Sequence, residues 1–349
     1  MNVRRLISST AAATAAVLGA TALTACSGDA TAIGKNTEKF DVVASFYPMA
    51  FLAEEIGGKN VNVSTLVEPG QEPHDLEITA RQTAALTEAD AVLYLKGLQP
   101  AVDEAVAQTE GPAKVDAAAL TELREHGAEV DGSEEHADEH ADEHAEEHAD
   151  EHAEEHADEH ADEHEGHDHG HSHAAGAQDP HVWLDPAKYA EVAQGVSKAF
   201  QKADPDHAAD YRANTEDLVN RLDALDKKFE DGLKDRKTDV FLTNHSAFGY
   251  LAEAYGLIEE SITGLDPESE PSGARVKELQ HIAKEDGVTT VFYETLVSDR
   301  TAKTLAQDTG LRTDVLDPLE GITEKSRGDD YFQVMESNLE ALRKALGAQ

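Results

Sequence analysis

Apolar residues recur along this chain with two periods. Short apolar runs alternate with longer segments in which apolar positions return at threes and fours. The runs predict strands at Val42–Phe46, Val61–Val67, Ala91–Leu95, Val240–Thr243, Ile258–Ile262, Thr290–Tyr293 and Thr313–Leu316. The periodic segments predict helices through Met49–Ile56, Glu77–Thr87, Phe248–Tyr255, Gly273–Asp286, Thr301–Thr309 and Asp329–Leu346. Pro186 opens a further helix with Tyr189, Val192, Val196 and Phe200 on one face, and Asp204-Pro205 stops it. Tyr211, Leu218, Leu222, Leu225, Phe229 and Leu233 then predict a helix near 206–233, about 42 Å long at 1.5 Å per residue. Strand and helix alternate on both sides of it, the signature of α/β units with parallel strands. The expected fold is α/β: two lobes with parallel sheets joined by a long rigid helix, and a cleft between them.

The first residues break this pattern. Arg4 and Arg5 precede a small, mildly apolar stretch to Ala25, and Leu23-Thr24-Ala25-Cys26 closes it like a lipobox. Cys26 is the only cysteine of the 349 residues, so no internal disulfide is available and the thiol reads as a lipidation site. Residues 1–25 therefore read as a lipoprotein signal peptide and 26–39 as a flexible tether. An N-terminal lobe follows over 40–204, interrupted by a His- and acid-rich, disordered insertion at 126–178. A linking helix takes 205–234 and a C-terminal lobe 235–349.

The formal charge of −42 excludes nucleic acid as a partner, because phosphate binding needs clustered Lys and Arg. Eighteen of the acids lie between Glu134 and Asp168, leaving −24 on the rest, so a cation is the favoured guest.

Ligands of open α/β sheets sit beyond the carboxyl ends of the strands. Polar residues that follow the apolar runs, or lie in comparable loops, are His74 in Glu72-Pro73-His74-Asp75, His181 in Asp179-Pro180-His181-Val182-Trp183, His245 after Val240–Thr243, and Glu320 after Asp317-Pro318-Leu319. Three imidazoles and one carboxylate make a closed tetrahedral set suited to zinc rather than magnesium or calcium. Asp75, the residue after His74, is placed to orient that imidazole. Glu294, after Val291-Phe292-Tyr293, is a rival fourth ligand or a group behind the ligands, and Trp183 is placed to keep water from the metal or simply to pack.

Glu-Pro-His at 72–74, Asp-Pro-His-Val-Trp-Leu-Asp-Pro at 179–186, Asn-His-Ser-Ala-Phe at 244–248 and Asp-Pro-Leu-Glu at 317–320 occur together in one family. By these motifs, and by Asp266–Ser272, the chain resembles the zinc-specific solute-binding lipoproteins of ABC metal importers. The resemblance covers residue 40 to the C-terminus apart from the insertion. It implies His74, His181 and His245 as imidazole ligands with Glu320 as the fourth, Zn2+ as the transported ion, a monomeric chain lipid-anchored outside the cytoplasm, and an ABC-type permease as partner. Related manganese binders resemble the chain but carry a carboxylate where His245 stands, and some zinc members complete the site with water in place of Glu320.

Histidine recurs every fourth residue at His136, His140, His144, His148, His152, His156, His160 and His164, and the tract ends with His167, His169, His171 and His173. Helical spacing would place neighbouring rings on one face with a drift of roughly 40° per step, so pairs can share an ion. These are expected accessory zinc sites that raise the local zinc concentration. Three other classes remain in view at this level: a manganese or iron transport protein of the same architecture, a surface zinc buffer or adhesin, and a zinc hydrolase. No His-Glu-x-x-His occurs to support the last, so the chain is not read as an enzyme.

Overall fold

The computed structural model describes residues 39–126 and 178–348. The expected signal segment, Cys26, the tether up to residue 38 and the histidine tract His136–His173 lie outside the described residues.

The first lobe is built on β1 (Phe40–Ala44), β2 (Val61–Thr65), β3 (Ala91–Tyr94) and β4 (Ala113–Asp116), all parallel in the order β2-β1-β3-β4. Its connections carry α1 (Tyr47–Gly57), α2 (Ala80–Glu88) and α3 (Pro100–Gln108). The second lobe repeats the plan with β5 (Val240–Thr243), β6 (Ile258–Ser261), β7 (Thr290–Tyr293) and β8 (Arg312–Val315) in the order β6-β5-β7-β8, again parallel. Its helices are α6 (Gly249–Tyr255), α7 (Gly273–Glu285), α8 (Arg300–Thr309) and α9 (Tyr331–Leu346). Helix α4 (Pro186–Ala203) packs on α1, β3 and β4 of the first lobe, and α5 (Ala208–Gly232) runs on from it, touching α1 of the first lobe and α9 of the second. The two-lobed α/β expectation therefore holds.

Element ends moved where capping chemistry overrides apolar periodicity. Helix α2 starts at Ala80 rather than Glu77, because Thr79 forms a capping box with Gln82. Helix α5 has 25 residues, about 38 Å, because Pro205–His207 makes a separate tight turn before it. Helix α3 and strand β4 had no counterpart in the apolar pattern. Of β4 only Val115 is buried, and α3 buries only Val102 and Val106, so neither leaves an apolar run to recognise. The edge place of β4 in the sheet explains its polar face.

One apolar cluster runs from β1 and β3 through α1, α4 and α5 to α6 and α9, while a smaller one fills the space between β5, β7, α7 and α8. An aromatic seam crosses from lobe to lobe. Phe51 of α1 stacks on Tyr331 at the start of α9, with ring centroids 5.3 Å apart, and Tyr189 of α4 lies 4.9 Å from the same ring. The Tyr331 hydroxyl donates to the Trp183 carbonyl (2.7 Å), and that of Tyr189 to Pro48 (2.6 Å). Helix α5 is pinned on both sides as well: Asn214 donates to the Ile56 carbonyl of α1, and the Tyr255 hydroxyl of α6 donates to Asp226. None of the described helices is long and apolar enough to cross a membrane.

Because the shared cluster joins the lobes, both should unfold in one cooperative transition. Phe51→Ala is expected to lower stability by about 3–5 kcal/mol and to shift that single transition as a whole, read by urea denaturation with circular dichroism. A variant in which one lobe melts separately would contradict the shared core.

Candidate metal centre

In each sheet the strand order reverses beside the first strand, and the crevice at such a switch point is where α/β sheets hold ligands. His245 lies two residues past β5 and Glu294 directly past β7, the two strands that flank the switch point of the second sheet. Thr263 and Ser246 backbone amides, donating to Asn244 and Gly264, fasten the His245 loop to the segment after β6. His74 comes from the loop after β2, where the Glu72 carboxylate accepts from the backbone amides of His74 (3.0 Å) and Asp75 (3.3 Å) and closes a turn. His181 follows Asp179, whose Oδ1 accepts the His181 amide at 2.9 Å. Glu320 ends a turn after β8 in which Leu319 has φ 59, the only positive φ among the described non-glycine residues. That left-handed residue costs on the order of 1–2 kcal/mol and is held by the Asp317 carboxylate accepting its amide (2.9 Å) and by the Trp183 indole donating to the Pro318 carbonyl (2.7 Å). The clamp turns the Glu320 carboxylate inward.

These four side chains meet. Glu320 Oε1 lies 3.1 Å from His74 Nε2, 3.4 Å from His181 Nε2 and 3.5 Å from His245 Nε2, and the last two nitrogens are 3.4 Å apart. A tetrahedron with metal–ligand distances of about 2.0–2.1 Å has edges of about 3.3–3.4 Å, so these separations are those of a zinc coordination shell. His181, His245 and Glu320 are fully buried, and His74 is 6% exposed. Glu294 is not part of this group.

What faces the outer nitrogens decides what the inner ones can do. Asp179 Oδ1 lies 2.7 Å from His181 Nδ1, and Glu294 Oε1 lies 2.5 Å from His245 Nδ1. Carboxylates only accept, so both Nδ1 atoms carry the proton and both neutral rings present a bare Nε2 lone pair to the shared centre. Two lone pairs and a carboxylate oxygen that converge within 3.5 Å repel one another unless a cation stands among them. Protons are the competitors. Burial lowers the proton affinity of His181 and His245, but Asp179 and Glu320 outweigh it at His181, and Glu294 and Glu320 raise His245 well above the usual imidazole range. Burial raises Glu320, yet the neighbouring charge of His74 and the hydrogen bonds of all three imidazoles hold it well below the carboxylate range. Glu72, half-buried and close to Glu320, is pushed up by that burial to about 7 despite His74 beside it.

Of the groups expected behind the ligands, Glu294 is in place and Asp75 is not. Asp75 is exposed, and His74 Nδ1 has no hydrogen-bond partner among the described residues. The turn closed by Glu72 points the Asp75 side chain to solvent, so the carboxylate that fixes this turn is the one two residues before His74. Trp183 is fully buried with its ring centroid 5.2 Å from that of His181, and its hydrogen bond to Pro318 gives it a task beyond packing. Asp179 was missed as a partner of His181. Its signal was the two-residue spacing Asp-Pro-His, which lets one carboxylate reach both the amide and the ring of the histidine. A cavity of about 430 Å³, lined among others by Lys96, Asp116, Leu123, Gln178 and Leu265, reaches His74 from the surface.

The sequence model of the family described as "Zinc-uptake complex component A periplasmic" matches residues 42–345. The zinc-binding protein AdcA of Streptococcus pyogenes serotype M3 is 36% identical over 316 residues, covering 87% of this chain and 56% of the relative, so the chain spans little more than half of that protein. The high-affinity zinc uptake system protein ZnuA of Bacillus subtilis is 33% identical over 315 residues, 88% of each chain. The crystal structure of the Zn(II)-bound ZnuA-like domain of Streptococcus pneumoniae AdcA superposes with a TM-score of 0.66 at 28% identity, covering 88% of this chain and 99% of that domain. With nearly the whole of its two-lobed fold matched, from β1 to α9, the chain belongs to the family of periplasmic zinc-uptake complex component A proteins.

Proposed function

We propose that this protein captures zinc outside the cytoplasm, held there by a lipid on Cys26, and hands the ion to an ABC-type permease. The observation that carries the reading is the convergence of three imidazole Nε2 atoms on one oxygen of Glu320 at 3.1–3.5 Å. In this reading His74, His181, His245 and Glu320 are the four ligands, and Asp179 and Glu294 fix the rings of His181 and His245. Three nitrogen donors favour zinc over manganese, which prefers oxygen. A hydrolase needs an open coordination position for water, and four converging side chains leave none, so the site binds and does not turn over. The aromatic seam and the doubly pinned α5 argue against wide hinge opening. The ion then enters beside His74, the ligand that the cavity reaches. The histidine tract, inserted between His126 and Gln178, acts as an accessory collector whose attachment at Gln178 lines that cavity.

The central site is tested by metal titration. His245→Ala is expected to lower the affinity of the tightest zinc equivalent by more than about 100-fold, since even groups behind the ligands are worth 10–100-fold. Deleting residues 133–173 is expected to remove weak zinc equivalents and leave one tight one; loss of nearly all binding would make the tract the main site instead. In a zinc–manganese competition on the deletion variant, zinc should win.

Protons and zinc compete for the same nitrogens. In the ion-free protein the raised His181 and His245 stabilise the fold fully below about pH 6.5 and lose that contribution as pH rises through their folded values. The lowered Glu320 and Asp179 contribute above about pH 4 and lose it only in stronger acid. The melting-temperature increase produced by zinc should therefore shrink steadily from pH 8 to pH 5.5 in scanning calorimetry. An increase that does not change with pH would contradict imidazole ligation.

A further inference from the structure

His126 is the last described residue before the histidine tract, and it is packed. Its Nδ1 lies 2.9 Å from Asp179 Oδ2, its Nε2 3.2 Å from Glu253 Oε2 of α6, and its ring meets Tyr250 edge to face with centroids 4.5 Å apart. Two further bonds seat the same segment. The Arg124 amide donates to the Tyr250 hydroxyl (2.7 Å), and Asp179 returns its own amide to the Arg124 carbonyl (2.8 Å). Arg124 also forms an ion pair with Glu253. This strap passes from the first lobe onto α6 of the second, directly behind His181.

Asp179 is a carboxylate with no solvent exposure. One oxygen is committed to His181 and the other to His126, so the pair of imidazoles shares a single buried anion. An unpaired buried carboxylate oxygen is costly and would be relieved by rotation of the group. That rotation would release His181 Nδ1 from the acceptor that fixes its tautomer.

We propose that His126 is a positioning residue for zinc binding: by donating from Nδ1 to Asp179 it holds that carboxylate against His181, so that His181 presents Nε2 to the ion. This rests on the ligand assignment proposed above. Glu253 and Tyr250 keep the His126 ring at the angle the contact needs.

The two ring nitrogens can be tested separately. Asn at position 126 puts an amide nitrogen where Nδ1 stands and gives up the reach to Glu253; Gln does the reverse. Trp183 is the only tryptophan and lies against His181, so its fluorescence in the full-length protein reads the central site rather than the histidine tract. In chelator-buffered zinc titrations, His126→Ala and His126→Gln are expected to weaken zinc binding about 10-fold, and His126→Asn to restore most of it. An unchanged affinity in His126→Ala, or a His126→Asn as impaired as His126→Ala, overturns the proposal. Should His126→Ala fail to fold, as judged by circular dichroism, the comparison of the Asn and Gln variants decides by itself. His245→Ala serves as the control. If it titrates like the unaltered protein, the ligand assignment fails, whatever the variants at 126 do.

Discussion

The structure depends on a buried electrostatic conflict. Asp179 and Glu294 accept hydrogen bonds from the Nδ1–H groups of His181 and His245, which leaves both Nε2 lone pairs aimed at one another and at Glu320. The two Nδ1 contacts alone are ordinary hydrogen bonds. Together they create a point, enclosed by four buried side chains, that only a positive charge can satisfy. A divalent ion and a set of protons are the two ways of supplying that charge, which is why the site's metal affinity and its acid behaviour are one property seen from two sides.

Holding such a point requires that loops from both lobes keep fixed positions relative to one another. The fold does this by tying the loops that carry the four candidate residues to one another rather than by stiffening each alone. Trp183, next to His181 in the first lobe, holds the Pro318 carbonyl beside Glu320 in the second, and Tyr331 at the start of α9 holds the Trp183 carbonyl in turn. The strained backbone at Leu319 is tolerated because Asp317 and Trp183 fix the residues around it. Asn338 of α9 then anchors Asp317 through two backbone contacts. The same α9 whose first residues stack on Phe51 therefore also supports Glu320, the proposed fourth ligand.

Relatives described as zinc-binding and zinc-uptake proteins share this fold over most of the chain. The acidity and histidine content of residues 134–173 set this chain's surface chemistry apart from its core, since the tract carries much of the charge and twelve of the eighteen histidines. Its two attachment points, His126 and Gln178, lie respectively against Asp179 and on the cavity that reaches His74.

The sequence by itself determined the class of fold, because parallel strands buried on both faces leave apolar runs such as Val240–Thr243 that survive any ambiguity of packing. It also determined the candidate ligands. His74, His181, His245 and Glu320 each stand in a loop beside Pro or after a strand, where a polar residue has no structural reason to be buried. Edge elements such as α3 and β4 escaped because they bury too few residues to impose a period. Only the tertiary structure decided which carboxylates stand behind the rings. Asp75 stands one residue from a candidate histidine and Asp179 two, yet Glu72 turns the nearer one outward while the strap from Arg124 to His126 seals Asp179 in. Orientation of a side chain one or two residues away is set by the turn it sits in, and that turn is closed by contacts from parts of the chain that sequence order does not reveal.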